Sequence, residues 1–136
     1  MILCDTGVLL CLVDQSQPQH SEYIALVKQL EKPLITTWVC MGEAMYLALH
    51  RGGWPMQKQL AKMLLLNLLT IGEIDDENYP RLFALMEKYQ DRPMDLADAT
   101  LVLIAEKQRE KRILTLDSDF LFYRILDKNN FQVILP

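Results

Sequence analysis

Histidine is scarce in this chain, with His20 and His50 the whole supply. Cysteine is scarce too: Cys4, Cys11 and Cys40 are each set in an apolar run. Neither count nor spacing matches a Cys/His zinc pattern. Three thiols with no signal-peptide pattern make no disulfide framework, so the expectation is buried, reduced cysteines in a cytoplasmic protein. Excess positive charge is missing as well. Lys and Arg total 14 against 18 Asp and Glu, for a net charge of -4. There is therefore no overall basic signature for a polynucleotide. A nucleic-acid substrate is still allowed, because basic patches can be local and a bound cation neutralises local acids. No apolar run approaches the roughly 20 residues of a membrane span. The longest, residues 63–69, contains Asn67 and reads as core or as a subunit contact. Repeats, linkers and low-complexity segments are absent, which leaves one domain, residues 1–136.

What is present is a core. Hydrophobic residues make up 51% of 136 positions, enough for a folded domain with a sizeable interior. Residues 2–5 are a short apolar run ending in an acid. They read as a buried parallel strand with Asp5 at its carboxyl end. Thr6 and Gly7 turn the chain into a short helix over residues 8–13. The pattern then predicts a helix over 20–31, a strand over 33–36 and a helix over 38–50 capped by Thr37. Gly52 and Gly53 end that helix, and Pro55 suits the first turn of the next, over 56–69. A strand over 70–74 follows, then a helix running to Tyr89. The run 96–105 has no Gly or Pro and predicts a buried helix. A strand over 113–116, a short helix over 120–126 and a closing strand over 131–135 complete the chain.

The acids are what this pattern organises. Asp95 and Asp98 lie three residues apart, on one face of the first turn of the buried helix. Asp95 reads as an N-cap or as a ligand. Asp98 is followed almost entirely by apolar residues, where an unpaired carboxylate is costly. Asp5 ends the first strand and is also a good N-cap residue. Glu43 is the only charged side chain between Trp38 and Leu49, so it reads either as an exposed helical glutamate or as an inward acid. Asp117 and Asp119 follow the strand over 113–116, where one can cap and one can bind. Asp75 and Asp76 open a helix and read as ordinary capping acids.

Strands alternating with helices imply a parallel sheet, and in such sheets ligands bind at the carboxyl ends of the strands. Asp5, Glu43, Asp98 and Asp117, with Asp95 and Asp119 in reserve, would converge there. Converging carboxylates repel each other unless a hard cation is present. Oxygen ligands favour Mg²⁺ or Mn²⁺, and the chemistry suited to such a site is phosphodiester hydrolysis. A phosphoacceptor receiver domain would need a lysine near the last strand, and residues 131–136 contain none. An Asp-x-Asp phosphatase would need its motif after the first strand, where Asp5-Thr6-Gly7 does not match.

Four short motifs in order carry a resemblance: Asp5-Thr6; Gly42-Glu43-Ala44; Asp98-Ala99; and Thr115-Leu116-Asp117-Ser118-Asp119-Phe120. Across essentially the whole chain this resembles the PIN domain, in particular the VapC-type ribonuclease toxins of toxin–antitoxin pairs. The resemblance implies a three-layer α/β/α sandwich with a central, mainly parallel sheet and a Mg²⁺ or Mn²⁺ pocket. Its acids fall on Asp5, Glu43, Asp98 and Asp117, with Asp119 able to share the last role. Asp95 stands where many members carry an uncharged polar residue. The implied activity is an endoribonuclease acting on RNA, inhibited by a cognate antitoxin and often dimeric. The apolar residues 60–69 are the expected dimer or antitoxin contact. The alternative is a non-catalytic PIN-like module that binds RNA or protein.

Overall fold

Ile2–Cys4 forms β1, buried at all three positions, and everything else is laid out around it. The computed structural model describes residues 1–136. β2 (Leu34–Thr36), β3 (Leu69–Ile71), β4 (Arg112–Leu114) and β7 (Gln132–Val133) join β1 in a five-stranded sheet, in the order β3-β2-β1-β4-β7. Every pairing in it is parallel. Leu3 aligns with Ile35 on one side and Ile113 on the other.

Two cores lie on the two faces of this sheet. Side chains alternate along a strand. Leu3, Ile35 and Ile113 therefore point into one core and Ile2, Cys4, Leu34 and Leu114 into the other. The second core is covered by α1 (Thr6–Val13), α2 (His20–Leu30) and α3 (Trp38–Leu65). The first is covered by α4 (Tyr79–Lys88) and α5 (Leu96–Gln108). This is the expected three-layer α/β/α arrangement. α5 is buried without a break from Ala97 to Ala105, as its unbroken apolar run requires. The three cysteines are buried and unbonded. No helix is long and apolar enough to cross a membrane.

Several boundaries differ from expectation. α3 is two helices meeting at Gly53, whose φ of 68° only glycine adopts at little cost. Pro55 is tolerated because it follows that break. The second half ends at Leu65 rather than Leu69, because Leu69 already belongs to β3. β3 in turn stops at Ile71, short of Ile74. The expected helix over 76–89 begins as a 3-10 turn, Asp76–Asn78, before α4. The expected helix over 120–126 is instead a 3-10 turn, Ser118–Leu121. A hairpin follows it, with β5 (Arg124–Ile125) paired antiparallel to β6 (Asn129–Asn130). The Arg124 guanidinium donates to the carbonyls of Leu121, Phe122 and Tyr123, which ends the turn. Leu126 and Asp127, at φ 53° and 61°, reverse the chain.

The strand order places the functional question. From β1 the chain steps to β2 and β3 on one side, then returns to β4 on the other. That reversal is a topological switch point, and the crevice outside it opens between the ends of β1 and β4.

Candidate metal centre

Asp5 follows β1 and Thr115 to Asp117 follow β4, so both reach the switch-point crevice. Asp98 arrives there from the first turn of α5. Oxygens of Asp5, Asp98 and Asp117 all lie within 4.8 Å of one another. Asp5 is 8% exposed and Asp98 6%, so two of these carboxylates are buried, while Asp117 is half-buried.

Each acid is held by its neighbours. Asp5 Oδ1 accepts from the Thr6 N–H at 2.7 Å, and Oδ2 accepts from the Thr115 hydroxyl at 2.8 Å. Asp5 is thus both the N-cap of α1 and a member of the cluster; the two readings of this residue are compatible. Asp98 Oδ2 accepts from the Tyr123 hydroxyl at 2.9 Å. Asp117 Oδ1 accepts from the Asp119 N–H at 2.9 Å, which caps the 3-10 turn. The Asp117 N–H itself donates to the Thr115 hydroxyl at 3.0 Å.

The electrostatics follow from this crowding. Burial, reinforced by the charges of Asp117 and Asp95, raises the Asp5 carboxyl to about 6, against the opposing hydrogen bonds from Thr115 and Thr6. Burial and the charges of Asp95, Asp5 and Asp117 raise Asp98 to about 8, although the Tyr123 hydrogen bond opposes this. Burial and mutual repulsion thus make two acids of an all-oxygen cluster resist ionisation. A divalent cation would remove that penalty, and the donor set suits a hard one. The residues present therefore fit a cation.

The remaining expected site residues are placed differently. Asp95 is exposed, and its Oδ1 accepts from the Asp98 N–H at 2.8 Å, so it is the N-cap of α5. Its charge nevertheless reaches both Asp5 and Asp98. Asp119 is half-buried and pairs with Arg92 at 3.4 Å rather than joining the cluster. Glu43 is exposed and stands outside the cluster. The apolar neighbours that suggested an inward acid, Val39, Cys40, Met41, Ala44, Leu47 and Ala48, are buried or half-buried, but Glu43 itself lies on the exposed strip of the helix with Trp38, Tyr46 and Leu49. Glu43 shares a helical face with Cys40, one turn earlier, whose thiol contacts the Ala97 carbonyl of α5 at 3.8 Å. Asp75 stands outside the cluster, and its N–H donates to the Asn78 side chain at 2.9 Å.

Two supporting residues were not singled out from the sequence. Thr115 sits inside a quoted motif, and a hydroxyl two residues before an acid is the signal that could have marked it. Tyr123 carries no local signal, because its contact with Asp98 exists only in the folded chain.

Carboxylates gathered at the switch point of a parallel sheet, between two helical layers, define an α/β/α protein with an acidic pocket. The chain belongs to the PIN domain family, whose family description matches residues 2–126. Over 134 residues it is 25% identical to Ribonuclease VapC26 of Mycobacterium tuberculosis (strain ATCC 25618 / H37Rv), covering 98% of this chain and 99% of that protein. Among solved structures, its fold is similar to that of Mycobacterium tuberculosis VapC20, a toxin that cleaves the sarcin–ricin loop. The TM-score is 0.79 at 17% identity, over 88% of this chain and 92% of that one.

Proposed function

We propose that this protein is a metal-dependent endoribonuclease, hydrolysing RNA phosphodiester bonds as the toxin of a type II toxin–antitoxin pair. The observation that carries the reading is the three-carboxylate cluster of Asp5, Asp98 and Asp117 within 4.8 Å at the switch point of a PIN-domain sheet. Similarity to a named ribonuclease along nearly the whole chain supports the activity.

In this reading Asp5, Asp98 and Asp117 hold Mg²⁺ or Mn²⁺. Such a cation supplies Lewis acidity, acidifying water and offsetting charge that builds on the phosphate. The chain's own groups do the positioning. Thr115 donates one hydroxyl proton to Asp5 and accepts from the backbone of Asp117, so it ties two of the three acids together. Tyr123 orients Asp98. Neither Ser, Cys nor His is required as a nucleophile. Glu43, one helical turn after Cys40, whose thiol contacts α5, serves in this reading as the fourth acid and orients the attacking water. Asp95 and Asp119 remain at the periphery, contributing charge and holding the turns that present Asp98 and Asp117.

A cognate antitoxin and a second copy of the chain are the protein partners in this reading. Support comes from Leu65, Leu66 and Leu68, which are exposed at the end of α3, whereas Leu60 and Leu69 of the same stretch are buried. Light scattering that shows a strict monomer at high concentration would remove the dimer.

The central test is direct. Purified protein should cleave single-stranded RNA with millimolar Mn²⁺ and stop in EDTA. Intact RNA in the presence of Mn²⁺ would favour a non-catalytic binding module.

A further inference from the structure

A polyanion has to be held beside an acidic pocket, and the other arginines of this chain are mostly committed elsewhere. Arg81 pairs with Glu106 and Asp127, Arg112 with Glu110, and Arg51 with Asp14. Arg124 is occupied by three backbone carbonyls. Arg109 ends α5 at the pole opposite Asp98. Among the ion pairs of the fold, the one that reaches the acidic motif joins Arg92 Nη1 to Asp119 Oδ1 at 3.4 Å. The Asp119 N–H donates to Asp117, so Arg92 stands two hydrogen bonds from the cluster.

Arg92 is also held in place. Its guanidinium carbon lies 3.5 Å from the centroid of the Phe122 ring. Such stacking restrains the side chain without using its donors. A guanidinium has five N–H groups, and here one is engaged, in a long bond. The Arg92 side chain is 35% exposed and Phe122 49%, so both can be reached from solvent. Arg92 lies just ahead of the Asp95 cap of α5, and Phe122 just beyond the turn that carries Asp119. The stacked pair therefore bridges the two segments that deliver Asp98 and Asp117.

We propose, on the ribonuclease reading above, that Arg92, held against Phe122, binds a backbone phosphate of single-stranded RNA beside the acidic pocket. It exchanges its long bond to Asp119 for phosphate oxygens, which a guanidinium can grip through two parallel N–H bonds. This is a strand-positioning contact and carries no base preference.

The test measures binding without cleavage. Anisotropy of a fluorescent single-stranded RNA is followed with the full-length chain in EDTA across a series of KCl concentrations. One phosphate contact adds about 0.7 to the salt slope for single strands. Arg92→Gln is expected to weaken binding and lower the slope by about that amount. Arg92→Lys should keep the slope. Phe122→Leu should weaken binding with the slope intact, because orientation is lost and charge is not. Arg112→Gln, which removes a cation paired elsewhere, should change neither. With Mn²⁺ present, Arg92→Gln should raise KM more than it lowers kcat. If the parent binds RNA and Arg92→Gln matches it in affinity and slope, the clamp is overturned and the ribonuclease reading stands. Equal losses in Arg92→Gln and Arg112→Gln would reduce the effect to bulk charge and also overturn the clamp. A parent that neither binds nor cleaves RNA overturns both.

Discussion

The hydroxyl of Tyr123 donates to Asp98 Oδ2 at 2.9 Å, joining the hairpin segment to the first turn of α5. Both residues are buried. Burial and the Asp98 charge push the Tyr123 phenol well above its ordinary range, so it stays a proton donor at any working pH. It is therefore a fixed support for the ionised form of Asp98. Tyr123→Phe keeps the ring, which packs edge-on against Tyr89 at 5.0 Å and Phe120 at 5.1 Å. It removes only the donor. Asp98 should then hold its proton more tightly, and Mn²⁺ affinity measured by titration calorimetry at neutral pH should fall by roughly 10- to 100-fold. An unchanged affinity would mean that Tyr123 serves packing alone.

The raised carboxyls also make stability depend on pH. Asp98 moves from an ordinary 3.8 to about 8 on folding, and Asp5 from 3.8 to about 6. Between those limits the folded chain binds more protons than the unfolded one, so unfolding becomes easier as pH rises. The contribution is intact below the ordinary carboxylate range and is lost progressively up to the folded values. In metal-free buffer, Asp98→Asn lacks the larger of these effects. Its Tm should pull ahead of the parent's as pH is raised from about 5 to about 8, with the gap levelling above that. A gap that does not change with pH would mean the cluster is not electrostatically strained.

Much of the fold was legible in the sequence because it rests on patterns that are local. The apolar run ending at Asp5 had to be a buried strand, and the uninterrupted run after Asp98 had to be a buried helix. The position of three acids followed from strand ends and one helix start. What was not legible depends on partners distant in sequence. The apolar neighbours of Glu43 are buried or half-buried while Glu43 is exposed, and an apolar setting in one dimension does not say which way a single helical side chain faces. The hairpin of β5 and β6 was missed because Leu126 and Asp127 adopt positive φ without glycine to signal it. Asp95 and Asp98 have the same residue type and the same turn, and only the depth of burial, read in three dimensions, separates cap from cluster member.

A cation should stabilise the native chain. It binds the folded cluster and has no equivalent site in the unfolded chain, so stability rises by mass action, by about 2.7 kcal/mol at a hundredfold excess over Kd. Thermal melting with and without millimolar Mn²⁺ should show a clear rise, and the rise should vanish in Asp98→Asn. A Tm indifferent to Mn²⁺ would count against the whole site.

Replacement of the cluster acids separates catalysis from folding. Asp5→Asn and Asp98→Asn preserve shape and remove charge. RNA cleavage should fall by orders of magnitude while the fold persists. Asp75→Asn, at a helix start outside the cluster, should cleave at nearly the parent rate. Parent-like cleavage by either cluster variant would make the acids structural.

Glu43 gives the sharpest discrimination, because its proposed role and its observed position pull apart. It is exposed, so Glu43→Gln should leave the metal-free Tm within about 2 °C of the parent, as surface changes away from special features are usually within about 0.5 kcal/mol. If it is merely a surface glutamate, cleavage should also be unaffected. If it orients the attacking water, kcat should drop by roughly 100-fold or more while Mn²⁺ binding weakens only slightly, since Asp5, Asp98 and Asp117 remain. The α3 turn that carries it is anchored to the site at two points. The Thr37 and Thr100 hydroxyls meet at 2.8 Å, and the Thr6 hydroxyl donates to the Cys40 carbonyl at 3.4 Å. Loss of kcat with Tm and Mn²⁺ affinity preserved is the expected pattern, and parent-like kcat would remove Glu43 from the pocket.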